Sequence, residues 1–444
     1  MPQDIIEQQL PVSELQIGMH VVRLDRPWSK TRFLLQGFVI RNEDDIQELQ
    51  DQCNHVFIEG RVEFAAKAAA PVAIRQGGSA THSARTKTPA RAPEPPRRKV
   101  TYINKVSMGE EIPRAEKFYA SAKSIAQGIM SGIRVGRALD ITSARQVVNQ
   151  CVDSILNNSD AMMLLTKLKH QDEYTVEHCL NVAILAAAFG KHLGLLEGEI
   201  RTLGLCGMLH DVGKARVPVE ILQKPGALTP GEFALMRRHA EYGRDILIGQ
   251  QSRSLAAAVD VAYNHHERLD GSGYPRALNA GQIPYFAKVI AIVDTYDAIT
   301  SNRVYDGCRS SMAALEILYR HRGTQFDPDL VQQFIQLIGI YPPGSLVKLN
   351  TGELAIVTES NPGQRRKPRL AIVTTPEKDL LDVPRAVDLS QSIVNGDPLG
   401  LTIRKELPDG SHGVTLRDML DRGLKLSLPT GEPADAADAG QIDL

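Results

Sequence analysis

The chain has few of the residues that stabilise small secreted domains. Its 444 residues include one tryptophan and five cysteines, and no two cysteines form a C-x-x-C pair. An odd number of widely separated cysteines argues against a disulfide framework and is typical of reduced, intracellular proteins. We therefore expect a cytoplasmic protein. The cysteines are Cys53, Cys151, Cys179, Cys206 and Cys308.

The sequence also lacks a long apolar run and an excess of charge of either sign. Its longest apolar stretch, residues 182–189, is far shorter than the roughly 18 residues that a membrane span requires. The N-terminus has no basic segment followed by an apolar run, as a secretory signal would have. The formal net charge of -1 gives no general attraction for nucleic acid or membranes. We expect no membrane span and no nucleic-acid partner.

Changes in composition and periodicity divide the chain into segments. Residues 1–64 mix strand-like runs at 19–23, 33–40 and 55–58 with the amphipathic segment 43–52 and predict a small α+β module. Residues 65–105 are rich in Ala, Pro, Gly, Ser, Thr and basic side chains, which predicts a disordered linker. Residues 341–405 contain three runs with a strand period, 346–349, 354–358 and 370–374, and predict a short β extension. Residues 406–444 form a C-terminal segment whose acidic end we expect to be disordered.

Residues 106–340 follow a helical period and predict an all-α domain, so the expected fold class is mainly α. Apolar residues recur at spacings of three and four, and caps such as Thr229 before Pro230 mark helix starts. The predicted helices are residues 115–130, 143–156, 162–169, 176–193, 197–209, 230–248, 255–264, 286–300, 312–320 and 328–337.

The first candidate functional residues stand at the end of one predicted helix. His210 and Asp211 follow an apolar run, where a buried carboxylate is costly to desolvate unless a partner such as a metal ion compensates. We expect Gly213 to take a positive φ that ends the helix, and Lys214 to project as a phosphate-binding cation. On its own, however, a His-Asp pair is more often a hydrogen-bonded couple in a core than a metal site.

Further candidates lie elsewhere in the helical region. His265 and His266 are adjacent at a predicted helix end, where two imidazoles rarely help packing. Asp294 interrupts an otherwise apolar helix, and a carboxylate there requires a metal ion or a cationic partner. His178 and His239 are weaker candidates, because a histidine beside an apolar stripe or on a charged helix is usually structural.

Together, five imidazoles and two carboxylates form a candidate metal site. Seven ligands are more than one tetrahedral zinc ion binds. They suit two octahedral ions that share a bridging carboxylate. Asp211 is the expected bridge. Ligation without thiolate favours two divalent iron or manganese ions and leaves zinc, nickel and cobalt open. The seven predicted ligands are His178, His210, Asp211, His239, His265, His266 and Asp294.

Several motifs within residues 110–340 resemble the HD-GYP family, a branch of the HD-type metal-dependent phosphohydrolases. The motif HDVGK stands at 210–214 and HHERLDGSGYP at 265–275. The segment AKVIAIVDTYDAITSNRVY at 287–305 follows in the family's order. More loosely, the N-terminal module and linker resemble a small domain of unknown function found before some members. The resemblance implies an HD-type helical bundle.

It also implies hydrolysis of the bacterial second messenger cyclic di-GMP to linear pGpG, with GMP as a further product left open. A hydroxide that bridges the two ions would attack phosphorus, and Asp211, His210 and Lys214 would be the catalytic residues. One ion would be held by His178, His210, Asp211 and Asp294, and the other by Asp211, His239, His265 and His266.

The resemblance implies substrate contacts as well. Lys214 matches a lysine that contacts the scissile phosphate, and Arg303 matches an arginine that grips phosphate. Gly273 and Tyr274 lie in a glycine-rich loop that would hold guanine or contact a partner, although the needs of a tight turn explain them equally well. Tyr174 stands where members with a third ion have a glutamate, so we expect two ions.

This chain departs from the family pattern at several motif positions. Ala240 replaces a proline, which removes no ligand. Val304 also replaces a proline, and Asp306 and Gly307 stand where the family commonly has basic residues. Because an acidic side chain weakens the binding of an anionic ligand, these changes bear on substrate affinity or choice rather than on metal binding.

Two other functions stay open at this stage. One is a non-enzymatic cyclic di-GMP sensor or interaction module, although such members usually lose ligands and this chain has all seven. The other is hydrolysis of a different cyclic dinucleotide or of a mononucleotide. Partners that the resemblance suggests are diguanylate cyclases with a GGDEF domain and a second copy of the chain. Nothing in residues 1–64 distinguishes signal sensing from dimerisation or docking.

Overall fold

The computed structural model divides into two compact units, residues 1–95 and 96–444. Helices dominate the described part of the chain, so the predicted fold class, mainly α, is confirmed. No described helix combines the length and the apolar character that crossing a membrane would need. The structure describes residues 6–25, 38–40, 43–60, 99–168, 174–224, 226–301, 310–361, 364, 366–391 and 400–424.

The first unit contains a four-stranded antiparallel sheet and one helix. Its elements are β1 (Ile6–Pro11), β2 (His20–Leu24), β3 (Phe38–Val39), α1 (Glu43–Gln52) and β4 (His55–Gly60). The strand order is β1-β4-β2-β3, and β1 was not predicted from the sequence. Val21, Ile40, Leu49 and Val56 are fully buried and form the centre of its core. The predicted α+β character of this module is confirmed.

The second unit is helical as far as residue 338. Its helices are α2 (Met108–Arg134), α3 (Ile141–Asn157), α4 (Ser159–Leu165), α5 (Tyr174–His192), α6 (Glu197–Leu209), α7 (Val219–Leu222), α8 (Pro230–Arg237), α9 (His239–Ile248), α10 (Ala256–Asn264), α11 (Tyr285–Thr300), α12 (Ser311–Arg320) and α13 (Pro328–Ile338). Thr229 caps α8 as predicted, because its side chain accepts the Glu232 N–H while Glu232 bonds back to Thr229. Such caps satisfy the first N–H groups of a helix.

Helix α5 is the central element of this unit. Every residue from 177 to 191 is buried, and the helix packs against α2, α3, α6 and α11. Gly207 of α6 lies so close to α5 that an added Cβ would stand 2.8 Å from the Ala183 Cα. This close approach brings His178 of α5 and His210 together, with ring centroids 5.3 Å apart.

A five-stranded antiparallel sheet follows the helices. Its strands are β5 (Leu346–Leu349), β6 (Leu354–Glu359), β7 (Arg369–Thr374), β8 (Leu380–Asp388) and β9 (Ile403–Leu407), in the order β8-β7-β6-β5-β9. Val347, Val357 and Ile372 are fully buried in its core. A short helix, α14 (Leu416–Asp421), comes next. The sheet therefore contains two strands, β8 and β9, that the sequence analysis did not predict, and β9 extends past the predicted boundary at 405.

Parts of the predicted linker and tail lie outside the described residues. These parts are residues 65–98 of the linker and the acidic end of the chain after residue 424. Residues 99–105, which were also assigned to the linker, contact the helical unit. The Val100 N–H donates to the Gly194 carbonyl at 2.9 Å, and the Tyr102 hydroxyl donates to the Leu195 carbonyl at 2.9 Å. The helical unit therefore begins before its first helix.

Candidate metal centre

The HDVGK motif forms a tight turn at the end of α6. Asp211 precedes a 3-10 turn, Val212–Arg216, that leaves the helix. Gly213 does not have the predicted positive φ. Instead, an added Cβ at Gly213 would stand 1.9 Å from the His239 carbonyl oxygen and 2.4 Å from the Gly243 nitrogen. The expectation of a left-handed helix end was wrong, and the glycine is needed because the backbone of α9 passes directly against this turn.

Asp211 stands between two sets of imidazoles. Its Oδ2 lies 3.3 Å from His210 Nε2 and 3.7 Å from His178 Nε2. Its Oδ1 lies 3.4 Å from His239 Nε2 and 3.8 Å from His265 Nε2. Because each carboxylate oxygen faces a different pair of rings, the side chain has the arrangement that a bridging ligand requires.

Asp294 and His266 complete the cluster. Asp294 Oδ1 lies 3.0 Å from His178 Nε2 and 3.8 Å from His210 Nε2. All seven predicted ligands are thus brought together from α5, α6 and its turn, α9, the end of α10, and α11. Three overlapping sets of ligand atoms each lie within 4.8 Å of one another: Asp211, His239, His265 and His266; His178, His210 and Asp211; and His210, His265 and Asp294.

Backbone carbonyl groups orient three of the rings. Nδ1–H of His210 donates to the Gly207 carbonyl at 2.7 Å, and Nδ1–H of His239 donates to the Met236 carbonyl at 2.7 Å. In the same way, His265 Nδ1–H donates to carbonyl groups of the last turn of α10. A ring whose Nδ1 holds the proton offers the lone pair of Nε2, and Nε2 is the atom that faces the centre in each case.

Two buried atoms of the cluster have no hydrogen-bond partner within the described ranges. They are His210 Nε2 and Asp211 Oδ1, and both residues are almost completely buried. Buried polar atoms are nearly always paired, because an unpaired one forfeits its hydration without compensation. A divalent cation bound by imidazole nitrogen and carboxylate oxygen would pair both atoms. The donor set and its unpaired atoms therefore fit a metal site.

Charges in the cluster hold its carboxylates ionised. Burial alone would raise the pKa of Asp211, but Lys214 and His210 beside it keep that pKa well below its usual range. Lys214 Nζ contacts Asp211 Oδ2 directly. Burial likewise would lower the pKa of His178, but its contacts with Asp294 and Asp297 raise it to about 10. Without an added cation, the centre thus keeps positive charge on His178 and Lys214.

Three of the other four imidazoles, those of His239, His265 and His266, are held neutral. Burial, together with the neighbouring His210, lowers the pKa of His265 to about 3. Burial also lowers the pKa of His266, with His265 as the second cause, and that of His239. Since a metal ion binds the neutral ring, these groups need lose no proton to act as ligands near neutral pH.

The glycine-rich loop after α10 is fixed by its own backbone. Both oxygens of buried Glu267 accept backbone N–H groups of the loop, from Arg276 at 2.7 Å and from Leu278 at 2.9 Å. Gly273 is buried, and an added Cβ would stand 2.3 Å from the Arg268 nitrogen. Close backbone packing therefore accounts for Gly273, and its predicted contact with substrate stays a prediction.

Tyr274 lies at the rim of the cluster. Its ring centroid is 4.7 Å from that of His266, and the Arg237 guanidinium lies 4.6 Å from the same tyrosine ring. Phe233 of α8, whose side chain is half exposed, has its ring centroid 6.4 Å from that of Tyr274. The tyrosine thus contacts a predicted ligand on one side and belongs to a partly exposed aromatic and cationic rim.

The structure adds two residues that the sequence analysis did not select. Asp297 accepts the Nδ1–H of His178 at 2.8 Å, and Asn181 donates to the other oxygen of Asp297 at 3.3 Å. The signal was present, because Asp297 follows Asp294 at a helical spacing of three on the same apolar helix. The predicted phosphate ligand Arg303, together with Val304 and Asp306, lies outside the described residues.

Comparison with known proteins agrees with this geometry. The HD domain family profile matches residues 153–330, and the profile of a domain of unknown function (DUF3391) matches residues 7–144. The first match covers α5 to α11 and therefore all seven predicted ligands. The centre is accordingly that of an HD domain, a class of metal-dependent phosphohydrolases.

Sequence similarity to individual proteins identifies a family within this class. The chain is 34% identical over 395 residues to a cyclic di-GMP phosphodiesterase of Pseudomonas aeruginosa, which covers 87% of this chain and 89% of that protein. It is 37% identical to a cyclic di-GMP phosphodiesterase response regulator of Xanthomonas campestris, over 39% of this chain and 46% of the relative. It is 35% identical to a 3'3'-cGAMP-specific phosphodiesterase of Vibrio cholerae, over 39% of this chain and 33% of the relative. The chain belongs to the HD-GYP family.

Proposed function

We propose that this protein is a metal-dependent phosphodiesterase that hydrolyses cyclic di-GMP to linear pGpG. The observation that carries the proposal is the convergence of five imidazoles and two carboxylates around two buried, unpaired ligand atoms. The substrate is inferred from the Pseudomonas relative, which resembles this chain over most of both lengths.

The ligand atoms support a centre for two ions. Asp211 would bridge them, since its two oxygens face different rings. A site made only of nitrogen and oxygen donors suits iron or manganese, which we propose as the resident ions. One ion would take His178, His210, Asp211 and Asp294, and the other would take Asp211, His239, His265 and His266.

Bound divalent ions would lower the pKa of a coordinated water, so that hydroxide is available near neutral pH, and would polarise the phosphoryl oxygens. The residues of the chain supply orientation and charge. His210 presents Nε2 because the Gly207 carbonyl fixes its proton on Nδ1. Lys214 keeps its positive charge beside Asp211, where it can stabilise negative charge that develops on a phosphoryl group. Tyr274 would contact the nucleotide at the rim, and Arg303 would bind phosphate.

Another cyclic dinucleotide is a second candidate substrate. The Vibrio relative carries the name of a phosphodiesterase specific for 3'3'-cGAMP, and its identity to this chain is similar to that of the Xanthomonas relative. The bond that is cleaved is of the same chemical type in both molecules. A sensor without activity is less well supported, because all seven ligands are present and assembled.

Partners and location belong to the same proposal. Helix α8 buries none of its residues and exposes Leu235 and also Phe233, whose ring centroid lies 6.4 Å from that of Tyr274. This apolar rim supports docking of a protein beside the centre, and a GGDEF diguanylate cyclase or a second copy of the chain is the partner that the family resemblance suggests. We propose a cytoplasmic location because the proposed nucleotide substrate is cytoplasmic.

Elemental analysis combined with a hydrolysis assay tests the proposal. Protein purified without oxygen should contain close to two equivalents of iron or manganese and should convert cyclic di-GMP to pGpG faster than 3'3'-cGAMP. The variant Asp211→Ala should lose the metal and the activity. Asp245→Ala, which removes an exposed carboxylate of α9, is the matched control and should retain both. Equal metal content and equal turnover in the parent and Asp211→Ala would refute the site assignment.

A further inference from the structure

His178 differs from the other oriented rings of the centre in the group that holds it. The Nδ1–H groups of His210, His239 and His265 donate to backbone carbonyls of the residues just before them. That of His178 donates to the carboxylate of Asp297, which stands on a different helix, α11. The orientation of His178 therefore depends on tertiary contacts and not on its own helix.

A chain of side-chain hydrogen bonds continues beyond Asp297. Asn181 Nδ2 donates to Asp297 Oδ1 at 3.3 Å, and the Tyr119 hydroxyl donates to Asn181 Oδ1 at 3.1 Å. Asp297 and Asn181 are each 1% exposed. The hydroxyl of Tyr119, together with the Thr166 carbonyl that accepts from Asn181 Nδ2 at 3.4 Å, thus fixes which end of the amide faces Asp297. If the amide turned over, its oxygen would face a carboxylate, and repulsion would move the acceptor of His178.

Tyr119 belongs to helix α2, which lies outside the part of the chain that the HD domain profile matches. The profile begins at residue 153, whereas α2 lies within the match to the domain of unknown function. A second side chain of α2 reaches the same place, since Lys123 Nζ lies 2.6 Å from the buried carboxylate of Glu177, next to His178. Two residues of α2 therefore contact residues of α5 close to His178. Lys123 contacts Glu177, and Tyr119 contacts Asn181.

We propose that Tyr119, Asn181 and Asp297 are positioning residues for His178, so that helix α2 completes the metal centre of the HD domain. The proposal rests on the proposed role of His178 as a ligand. It extends the functional centre into a segment that is matched only by the domain of unknown function. A carboxylate that accepts from the outer nitrogen of a ligating imidazole fixes the ring and increases its basicity, and loss of such a partner typically lowers metal affinity about 10- to 100-fold.

Titration of metal-free protein with Mn²⁺ tests the proposal without an activity assay. Asp297→Asn should raise the dissociation constant of one of the two ions about 10-fold or more. Tyr119→Phe removes only a hydroxyl and acts through Asn181, so the same constant should rise by about 10-fold, the lower end of the 10- to 100-fold range. Tyr102→Phe is the matched control, because it also removes a phenol hydroxyl that donates to an oxygen near α5, the Leu195 carbonyl. It should bind Mn²⁺ like the parent.

The double variant Tyr119→Phe with Asp297→Asn separates a connected chain from two independent effects. If Tyr119 acts through Asp297, the double variant should bind Mn²⁺ no more weakly than Asp297→Asn alone. Unchanged Mn²⁺ affinity in Tyr119→Phe would overturn the proposal, as would equal loss of affinity in Tyr102→Phe. Thermal unfolding of the metal-free proteins identifies any variant that fails to fold. If Asp297→Asn fails to fold, the Mn²⁺ affinity of Tyr119→Phe alone decides the outcome. If the affinities change as expected but no cyclic dinucleotide is hydrolysed, the proposed function fails and this inference stands.

Discussion

Lys214 and Asp211 form a charge pair at the boundary between the buried centre and solvent. The Asp211 side chain is 1% exposed, whereas that of Lys214 is 22% exposed. The cation therefore lies on the outer side of the carboxylate that would bridge the two ions. A protonated lysine has no lone pair for a metal, but it can donate to an anionic phosphoryl oxygen. The position supports a role in binding or stabilising phosphate and not in holding metal.

The variant Lys214→Met separates these roles. It removes the charge and keeps most of the stem, so we expect the metal content to remain that of the parent while kcat falls about 100-fold, the usual effect of losing one well-placed donor. Elemental analysis and steady-state kinetics measure the two quantities. Lys224→Met, which breaks an ion pair with Glu232 at the start of α8, is the control and should retain activity. Loss of metal from Lys214→Met would show that the lysine supports the ligands instead.

The residues most readily predicted from sequence were those whose polar side chains are unusual in their sequence surroundings. Asp294 stands in an apolar helix and His265 beside His266, so each needed an explanation that only a site supplies. Asp297 was missed because its role depends on His178, which lies 119 residues earlier in the chain. Gly213 was selected for the wrong reason, because its constraint comes from the backbone of α9 and not from its own φ. Local sequence shows which side chains are unusual, but it does not show what they contact.

Helix contact sets the geometry at the next scale. Gly207 allows α6 to approach α5, and the two helices carry His178 and His210 at that distance.

Gly207→Ala would place its Cβ against α5 backbone, so we expect it to destabilise the protein by about 1–3 kcal/mol and to weaken Mn²⁺ binding. Gly198→Ala on the same helix meets open space and should leave both quantities unchanged or raise stability slightly. Thermal unfolding and Mn²⁺ titration check both variants. Equal behaviour of the two would mean that the close approach does not set the site.

The strands that sequence periodicity missed share one property. β1, β8 and β9 each lie at the edge of their sheet. An edge strand pairs on one side only and is often polar, and β8 is largely exposed along its length. Interior strands such as β6 and β7 are buried on both faces, so their apolar runs were recognised. Backbone hydrogen bonds hold the edge strands in the sheet. These bonds do not require a regular pattern of apolar side chains.

One predicted helix, residues 230–248, is two helices in the structure. The break falls at Arg238, with neither glycine nor proline there to mark it. It places His239 at the start of α9, where Nδ1–H donates to the Met236 carbonyl of α8. The amphipathic period continues across both helices, so periodicity alone could not reveal this one-residue break. The element boundary that matters most for the site was therefore the one that the sequence concealed.

At the scale of the whole molecule, two divisions of the chain disagree over helix α2. The profile of the domain of unknown function extends to residue 144, whereas the contacts divide the chain after residue 95. Helix α2 buries apolar side chains in the second unit, including Ile129 and Ile133, and its Tyr119 contacts Asn181. Sequence similarity records which segments are inherited together. The contacts record which segments fold together, and they assign α2 to the metal-binding unit.

Shortened chains test which division governs the centre. Residues 96–444 should fold and bind two Mn²⁺ ions with the affinity of the full chain, because they keep α2. Residues 138–444 should bind more weakly and unfold at a lower temperature, since burial of two isoleucines of α2 alone corresponds to about 3 kcal/mol or more. Calorimetric titration with Mn²⁺ and thermal unfolding compare both with the full chain. Tight binding by residues 138–444 would make α2 dispensable, and failure of residues 96–444 to bind would show that the centre requires the N-terminal unit as well.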